Sequence, residues 1–180
     1  MSNLLLNAAV RTSFLLTSRN RASQKAEAFL QEYLRLCRSL SKEDGQQCVE
    51  VPWMPGIDED MRKWSYFMIL EHNAIVNRAI TATVVQLARG EAPSGAAMID
   101  PKKEVMPSIS AGVSQIEFFA DSVRQHLNAV KALKSLRGTR TAPHPVFGSF
   151  DAHQWNCMFA FHLGLHLRQA KYIAARASSA

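Results

Sequence analysis

Cysteine is scarce in this chain of 180 residues. The three cysteines, Cys37, Cys48 and Cys157, form no CxxC pair and are odd in number. Disulfide frameworks and zinc ribbons both need paired cysteines, so neither is indicated. We therefore expect a protein of the reducing cytoplasm.

Long apolar runs are absent as well. The longest runs are a few residues each, far short of the roughly 20 that cross a bilayer, so no membrane span is predicted. Near the N-terminus, no basic residue precedes Leu4 and Arg11 interrupts the apolar stretch. Such a stretch makes a poor signal peptide, and we treat it as part of the fold.

Strand-like alternation and internal repeats are missing from a chain that is otherwise rich in apolar residues. Its hydrophobic fraction of 47% and charged fraction of 20% exclude a disordered protein and fit a single domain over residues 1–180. All seven prolines fall in three gaps, at 52–55, 93–107 and 143–145. Because proline breaks helix interiors, four long helical segments are predicted between the gaps.

Apolar residues recur in these segments at the three-and-four spacing of amphipathic helices. The first segment runs to about Leu40, the second from Asp58 to Gly90, the third from Ser108 to Gly138, and the fourth from a capping box of Asp151 and Gln154. Residues 3–17 form either a separate N-terminal helix or an extension of the first segment.

Four helices of this length predict an all-α protein with the architecture of a four-helix bundle. The connection between the second and third helices, residues 91–107, is long enough to cross the bundle. A simple up-down-up-down array is therefore not required.

The net charge of +6 is concentrated in the last third of the chain. Residues 122–180 hold eight Lys or Arg and one acid, which gives +7 and leaves −1 for residues 1–121. These basic residues form no run and are not interleaved with aromatics, so solvated helix faces are favoured over a nucleic-acid surface. The same basic residues would also attract an anionic small-molecule substrate.

Three of the six histidines are predicted to point into the core. His162 and His166 are four residues apart, about 40° around a helix, which suits two ligands of one metal ion. They share their face with Trp155, Phe159, Gln169 and Ile173. His72 lies on the apolar stripe of the second helix in the same way.

Burying three imidazoles without partners is costly, and a metal ion would satisfy one nitrogen of each. Three protein ligands with an open position are the pattern of catalytic zinc sites, whereas structural sites usually have four. The alternative is that each histidine is a core residue with a hydrogen-bonded neighbour. For three inward histidines in one bundle, the metal site is favoured.

Residues around the three histidines are assigned weaker roles. Gln169 is a candidate to orient a ligand or the substrate, and Trp155 and Phe159 are candidates to contact either. His144 belongs to this group too, although a rigid turn at His144–Gly148, with Phe147 closing the bundle end, is preferred for it over a fourth ligand. His126 and His153 are predicted at the surface or the rim, Gly164 at a close helix contact, and Cys157 away from the site.

Two stretches resemble the DinB/YfiT-like superfamily. One contains Trp64-Ser65-Tyr66, then Glu71-His72-Asn73, and ends in Gly90-Glu91; the other runs from His144 to Gln169, with an HPxFG turn before HxxxHxxQ. The resemblance covers the chain from about residue 20 to the end. Residues 1–20 fall outside it, and we expect them to form an added helix that packs on the bundle or on a partner.

The resemblance implies an up-down-down-up bundle with one long crossover. It also implies a divalent metal, commonly nickel or zinc, held at His72, His162 and His166, and a homodimer. Members with assigned activities are thiol-dependent enzymes, namely mycothiol-dependent maleylpyruvate isomerase and bacillithiol S-transferases.

The residue patterns predict a cytoplasmic metal-dependent enzyme that acts on a small molecule, and the resemblance implies a thiol-dependent S-transferase, with a hydrolase as the other possibility. The metal would lower the pKa of a bound water or of a low-molecular-weight thiol. No residue is an obvious general base, which suits thiolate chemistry. The alternatives are a non-catalytic, metal-stabilised bundle with a stress or interaction role and, last, nucleic-acid binding.

Overall fold

Four long helices form the body of the protein. The structure is a computed structural model that describes residues 2–91 and 105–177. In chain order the elements are α1 (Ser2–Leu16), α2 (Arg19–Arg38), α3 (Lys42–Gln46), a 3-10 turn (Glu59–Met61), α4 (Tyr66–Ala88), α5 (Gln115–Ala132), β1 (Ala142–His144), β2 (Gly148–Phe150) and α6 (Ala152–Ala177). The predicted four-helix bundle is confirmed and consists of α2, α4, α5 and α6.

Contacts between the helices establish their directions. The start of α2 meets the end of α5, where the Arg19 guanidinium donates to the carbonyls of Val130 and Leu133. Near the other end of α2, the ring of Tyr33 contacts that of Phe119, early in α5. Helices α2 and α5 are therefore antiparallel.

Helices α4 and α5 run in the same direction, since Asn77 bonds to Ser122 and Thr81 to His126 further along both. Helix α6 is antiparallel to α4. Trp64, just before α4, lies against His166 in the middle of α6, whereas Thr81, further along α4, bonds to His126, which also bonds to Asn156 near the start of α6. The order is thus up-down-down-up, as predicted. The predicted crossover at 91–107 lies mostly outside the described residues.

Helix α6 lies close to α2 at Gly164. A Cβ atom there would stand 3.1 Å from the ring of Phe29, so the missing side chain permits this approach. The capping box predicted for α6 is present. The backbone N–H of Gln154 donates to the Asp151 carboxylate at 2.8 Å, and the backbone N–H of Asp151 donates to Gln154 Oε1 at 3.2 Å.

Two predicted helix starts are wrong. Helix α4 begins after Ser65, whose hydroxyl accepts from the Met68 amide, while the Asp58 segment forms only a 3-10 turn. Helix α5 begins at Gln115 and ends at Ala132, well inside the predicted 108–138. Residues 105–114 are instead held against α4, where the backbone N–H of Ser108 donates to the Glu71 carboxylate. Ile109, in this segment, is 79% exposed.

The expectation of no strands is also wrong, because β1 and β2 pair antiparallel just before α6. Three residues per strand are too few to produce a visible alternation. The segment 144–148 does form the predicted turn, and Gly148 adopts a positive φ of 77° there.

Residues 2–16 form a separate helix that packs on the bundle. Arg11 donates to the carbonyls of Phe147 and Ser149 in the hairpin, and Phe14 contacts the rings of Phe150 and Phe161. Helix α1 therefore covers the hairpin and one side of α6. No helix in the described part of the chain is long and apolar enough to cross a membrane.

Candidate metal centre

The structure brings His72, His162 and His166 together. His72 lies in the second turn of α4, and the other two lie one turn apart in the middle of α6. Their ring centroids are 4.6–5.2 Å apart, and one ring nitrogen from each lies within 4.8 Å of the other two. The group can hold a metal ion.

Hydrogen bonds determine the tautomer of two of these rings. His72 Nδ1 donates to the Val105 carbonyl at 2.7 Å, so its proton is on Nδ1. His166 Nδ1 donates to Gln169 Oε1 at 3.0 Å, and Gln169 is oriented by donating to the Met61 carbonyl at 2.7 Å. Both Nε2 atoms are therefore unprotonated in the neutral rings and can bind a cation.

His162 completes the donor set. Its Nε2 lies 3.3 Å from His72 Nε2, while its buried Nδ1 has no hydrogen-bond partner among the described residues. Two nitrogens bound to one tetrahedral ion at about 2.0–2.1 Å lie about 3.3 Å apart. The spacing therefore fits a shared cation. Without an ion it fits a hydrogen bond from the Nε2–H of a neutral His162 to His72 Nε2, which a cation would replace.

All three rings are kept neutral. Burial, with the proximity of the other histidines, lowers the pKa of His162 well below its usual value. Burial lowers the pKa of His166 to about 3 and also lowers the pKa of His72. Neutral imidazole is the form that binds metals, so the burial that disfavours protonation favours a cation.

A cavity of about 290 Å³ opens beside the three histidines. Its walls are mainly apolar and come from α4, α6 and the β1–β2 hairpin. The apolar side chains include Val76, Ala79, Ile80, Trp155, Met158 and Leu165. A small molecule in this cavity would meet an ion held by the histidines.

The residues predicted around the site take different places. Trp155 and His144 line the cavity, and Gln169 lies behind His166. Phe159 does not line the cavity; its ring stacks on His126 with centroids 3.6 Å apart.

Sequence reasoning missed two contributors to the site. Trp64 packs on His72 and His166, with centroid distances of 5.0 and 6.2 Å. The Val105 carbonyl orients His72. Trp64 stands in the stretch that resembles the DinB/YfiT-like proteins, but a backbone carbonyl leaves no sequence signal.

The predicted surface positions of His126 and His153 are wrong, because they are 1% and 3% exposed. His126 bonds to Asn156 and to the Thr81 hydroxyl, inside the bundle. His153 Nε2 donates to the Phe14 carbonyl at 3.1 Å. Helix α1 therefore covers the face of α6 that the sequence pattern left for solvent.

Burial of His126 predicts a loss of stability in acid. Burial lowers its pKa to about 4, against an ordinary value of 6.5, so the unfolded chain binds more protons between these values. The free energy of unfolding should fall as the pH drops through this window, by about 3 kcal/mol in total from His126. Below about pH 4 this contribution stops changing.

The measurement is urea unfolding of chelator-treated wild type and His126→Asn between pH 7 and 4. The free-energy difference between the two proteins should shrink by about 3 kcal/mol as the pH falls. Two parallel pH curves would contradict a buried neutral His126.

Fold and site together define the class, a four-helix bundle protein whose buried histidine cluster can hold a metal ion. No family model matches the chain, and no curated protein matches it. Among solved structures, the chain is similar to the crystal structure of TT2238, described as a four-helix bundle protein, with a TM-score of 0.60 and 20% identity. The match covers 86% of this chain and 99% of that chain, and at this identity it supports the fold alone.

Proposed function

We propose that this protein is a divalent-metal-dependent enzyme that acts on a small molecule. The observation that carries the proposal is the convergence of three neutral imidazoles, two buried and one half-buried, on one wall of a cavity. His72, His162 and His166 would hold the ion, while Gln169 and the Val105 carbonyl orient two of the rings. Imidazole ligands suit zinc, copper, iron and nickel. Nickel and zinc are the proposed metals because the resemblance to the DinB/YfiT-like proteins implies them.

When bound, the ion supplies acidity: it lowers the pKa of a water or a thiol and so provides a nucleophile near neutral pH. The protein supplies the dry walls and the positions of the ligands. Asp58 is the one carboxylate among the described residues that line the cavity, and its side chain lies in an exposed segment. A thiol-dependent S-transferase, which needs no strong general base, is therefore proposed ahead of a hydrolase.

We also propose membership in the DinB/YfiT-like superfamily. The up-down-down-up order of the helices and the close approach of the three histidines are the features that support it. Cytoplasmic location and a homodimer stay predictions.

The test is elemental analysis of the purified wild type beside His162→Ala, with His126→Asn as a control for loss of a buried histidine outside the cluster. Wild type and control should carry about one equivalent of nickel or zinc per chain, and His162→Ala only traces. Equal trace metal in all three proteins would refute the site.

Activity separates the enzyme from the non-catalytic alternative. The cluster joins α4 to α6, so an ion there would also stabilise a bundle without catalysis. Metal-loaded protein should accelerate the reaction of a small thiol with an alkyl halide or an epoxide, and His162→Ala should not. Full metal occupancy with no acceleration would favour the stabilised bundle.

A further inference from the structure

His144 occupies an unusual position in the hairpin turn. Its Nδ1 accepts from two backbone amides, those of Val146 at 3.1 Å and Phe147 at 3.3 Å. Its ring is packed among Phe147, Phe150 and Trp155, with centroid distances of 5.0–5.6 Å. Both interactions hold the ring in one orientation.

Because Nδ1 accepts, the proton of the neutral ring must be on Nε2. Among the described residues, none accepts a hydrogen bond from this Nε2, and His144 lines the cavity. Burial lowers the pKa of His144 to about 4, so the ring stays neutral over the physiological range. His144 therefore brings an unused, uncharged N–H donor to the residues that line the cavity.

Among the residues that the structure describes, the rest of the cavity wall offers no positive side chain. None of the described residues that line it is Lys or Arg, although the last third of the chain is rich in both. Thr83 already donates its hydroxyl proton to the Ala79 carbonyl, so its oxygen is left as an acceptor. An anionic occupant would thus meet Asp58, and the one cation available to it at the described part of this wall would be the ion held by the histidines. In the proposed thiol transferase that ion already holds the thiolate, so its charge is not left to compensate a second anion.

We propose that His144 is a substrate-binding residue whose Nε2–H donates to an acceptor oxygen of an uncharged, mainly apolar substrate, such as an epoxide, a ketone or an ester. The inference rests on the proposed function, because it assigns the substrate class of the same cavity. A donor fixed in place before binding stabilises negative charge that develops on such an oxygen. The attraction of an anionic small molecule by the basic residues stays a prediction.

Two probes of the same shape isolate the hydrogen bond. Acetophenone has a carbonyl where α-methylstyrene has a methylene group, and both are uncharged. Their dissociation constants are measured by quenching of tryptophan fluorescence, since Trp155 lies in the cavity wall. The apolar contacts that both probes make cancel in the ratio of the two dissociation constants, so the ratio reports the hydrogen bond to the carbonyl.

His144→Asn is the informative variant. The side-chain oxygen of Asn can accept from the amide two residues on, as in an Asx turn, so the hairpin keeps an acceptor while the Nε2–H donor is lost. The preference for acetophenone over α-methylstyrene should fall about five- to tenfold in the variant. An unchanged ratio in a variant with wild-type melting temperature would overturn the proposal.

Nitrogen NMR of the wild-type histidine rings gives a readout that needs no variant. His144 should show the Nε2–H tautomer, and its Nε2 signal should move with acetophenone but not with α-methylstyrene. An Nδ1–H tautomer, or equal responses to the two probes, would overturn the proposal even if His144→Asn fails to fold.

Both titrations are run with chelator-treated and with metal-loaded protein. No ion is present in the chelator-treated protein, so its preference for acetophenone over α-methylstyrene tests His144 independently of the metal site. Failure of this inference can therefore be distinguished from failure of the proposed metal site. In the chelator-treated protein, benzoate should bind at least about tenfold more weakly than acetophenone, because a buried charge without a partner is disfavoured. Equal binding of the two would refute the uncharged substrate class.

Discussion

Removing the metal ion with a chelator is expected to lower the melting temperature of the wild type by about 8–16 °C. An ion at 1,000 times its dissociation constant stabilises the folded state by about 4 kcal/mol if it binds only that state. The cluster exists only when α4 packs against α6, so this condition is met. For a domain of this size each kcal/mol changes the melting temperature by about 2–4 °C. Differential scanning calorimetry with and without chelator measures the shift.

His162→Ala should melt at the same temperature with and without the ion, whereas the control His126→Asn should retain the full shift. A shift of equal size in His162→Ala would mean that the ion binds elsewhere on the protein. This comparison ties the stabilisation to the cluster, because both variants lose one buried or half-buried imidazole.

Gln169→Leu should weaken both the fold and the metal site. Gln169 is fully buried and makes two hydrogen bonds, accepting from His166 Nδ1 and donating to the Met61 carbonyl. Leucine fills similar space but leaves both of these groups without a partner. The free energy of unfolding of the chelator-treated protein should drop by about 3 kcal/mol. Zinc affinity should fall about 10- to 100-fold, because His166 loses the group that orients it.

Urea unfolding measures the first effect, and competition with a chromophoric chelator measures the second. Gln169→Glu is the matched control, since it keeps an acceptor for His166 and loses the donor to Met61. It should retain most of the zinc affinity of the wild type while still being less stable. Equal losses of affinity in the two variants would show that the bond to His166 does not support the site.

Much of the site follows from spacing within single helices. His162 and His166 are one turn apart, and Gln169 follows at the distance that lets it reach the His166 ring. The capping box of Asp151 and Gln154 marks the start of the same helix. These features depend on residues three or four apart on a regular helix, so the local chain is sufficient to predict them.

Contacts between distant segments could not be predicted from the spacing of residues within one helix. Periodicity orients a side chain only relative to its own helix, and it therefore predicts His126 and His153 at the surface or the rim. Their burial depends on α1, α4 and α6, in particular on the Phe14 carbonyl and on Asn156. The start of α4 also depended on distant contacts, since Val49 and Val51 pair with the backbone of Trp64 and Arg62 in the segment before it.

The amino-acid order therefore specified which residues can share a helix face: the four amphipathic segments and the inward direction of His72, His162 and His166. Packing specified the rest: the 3.3 Å between two imidazole nitrogens, the Val105 carbonyl behind His72, and the hairpin that aims His144. The reason is one of range. Helix periodicity depends on hydrogen bonds between residues four apart in the chain. The site instead joins residues some 90 positions apart, and the burial of apolar surface that brings them together does not depend on their spacing in the sequence.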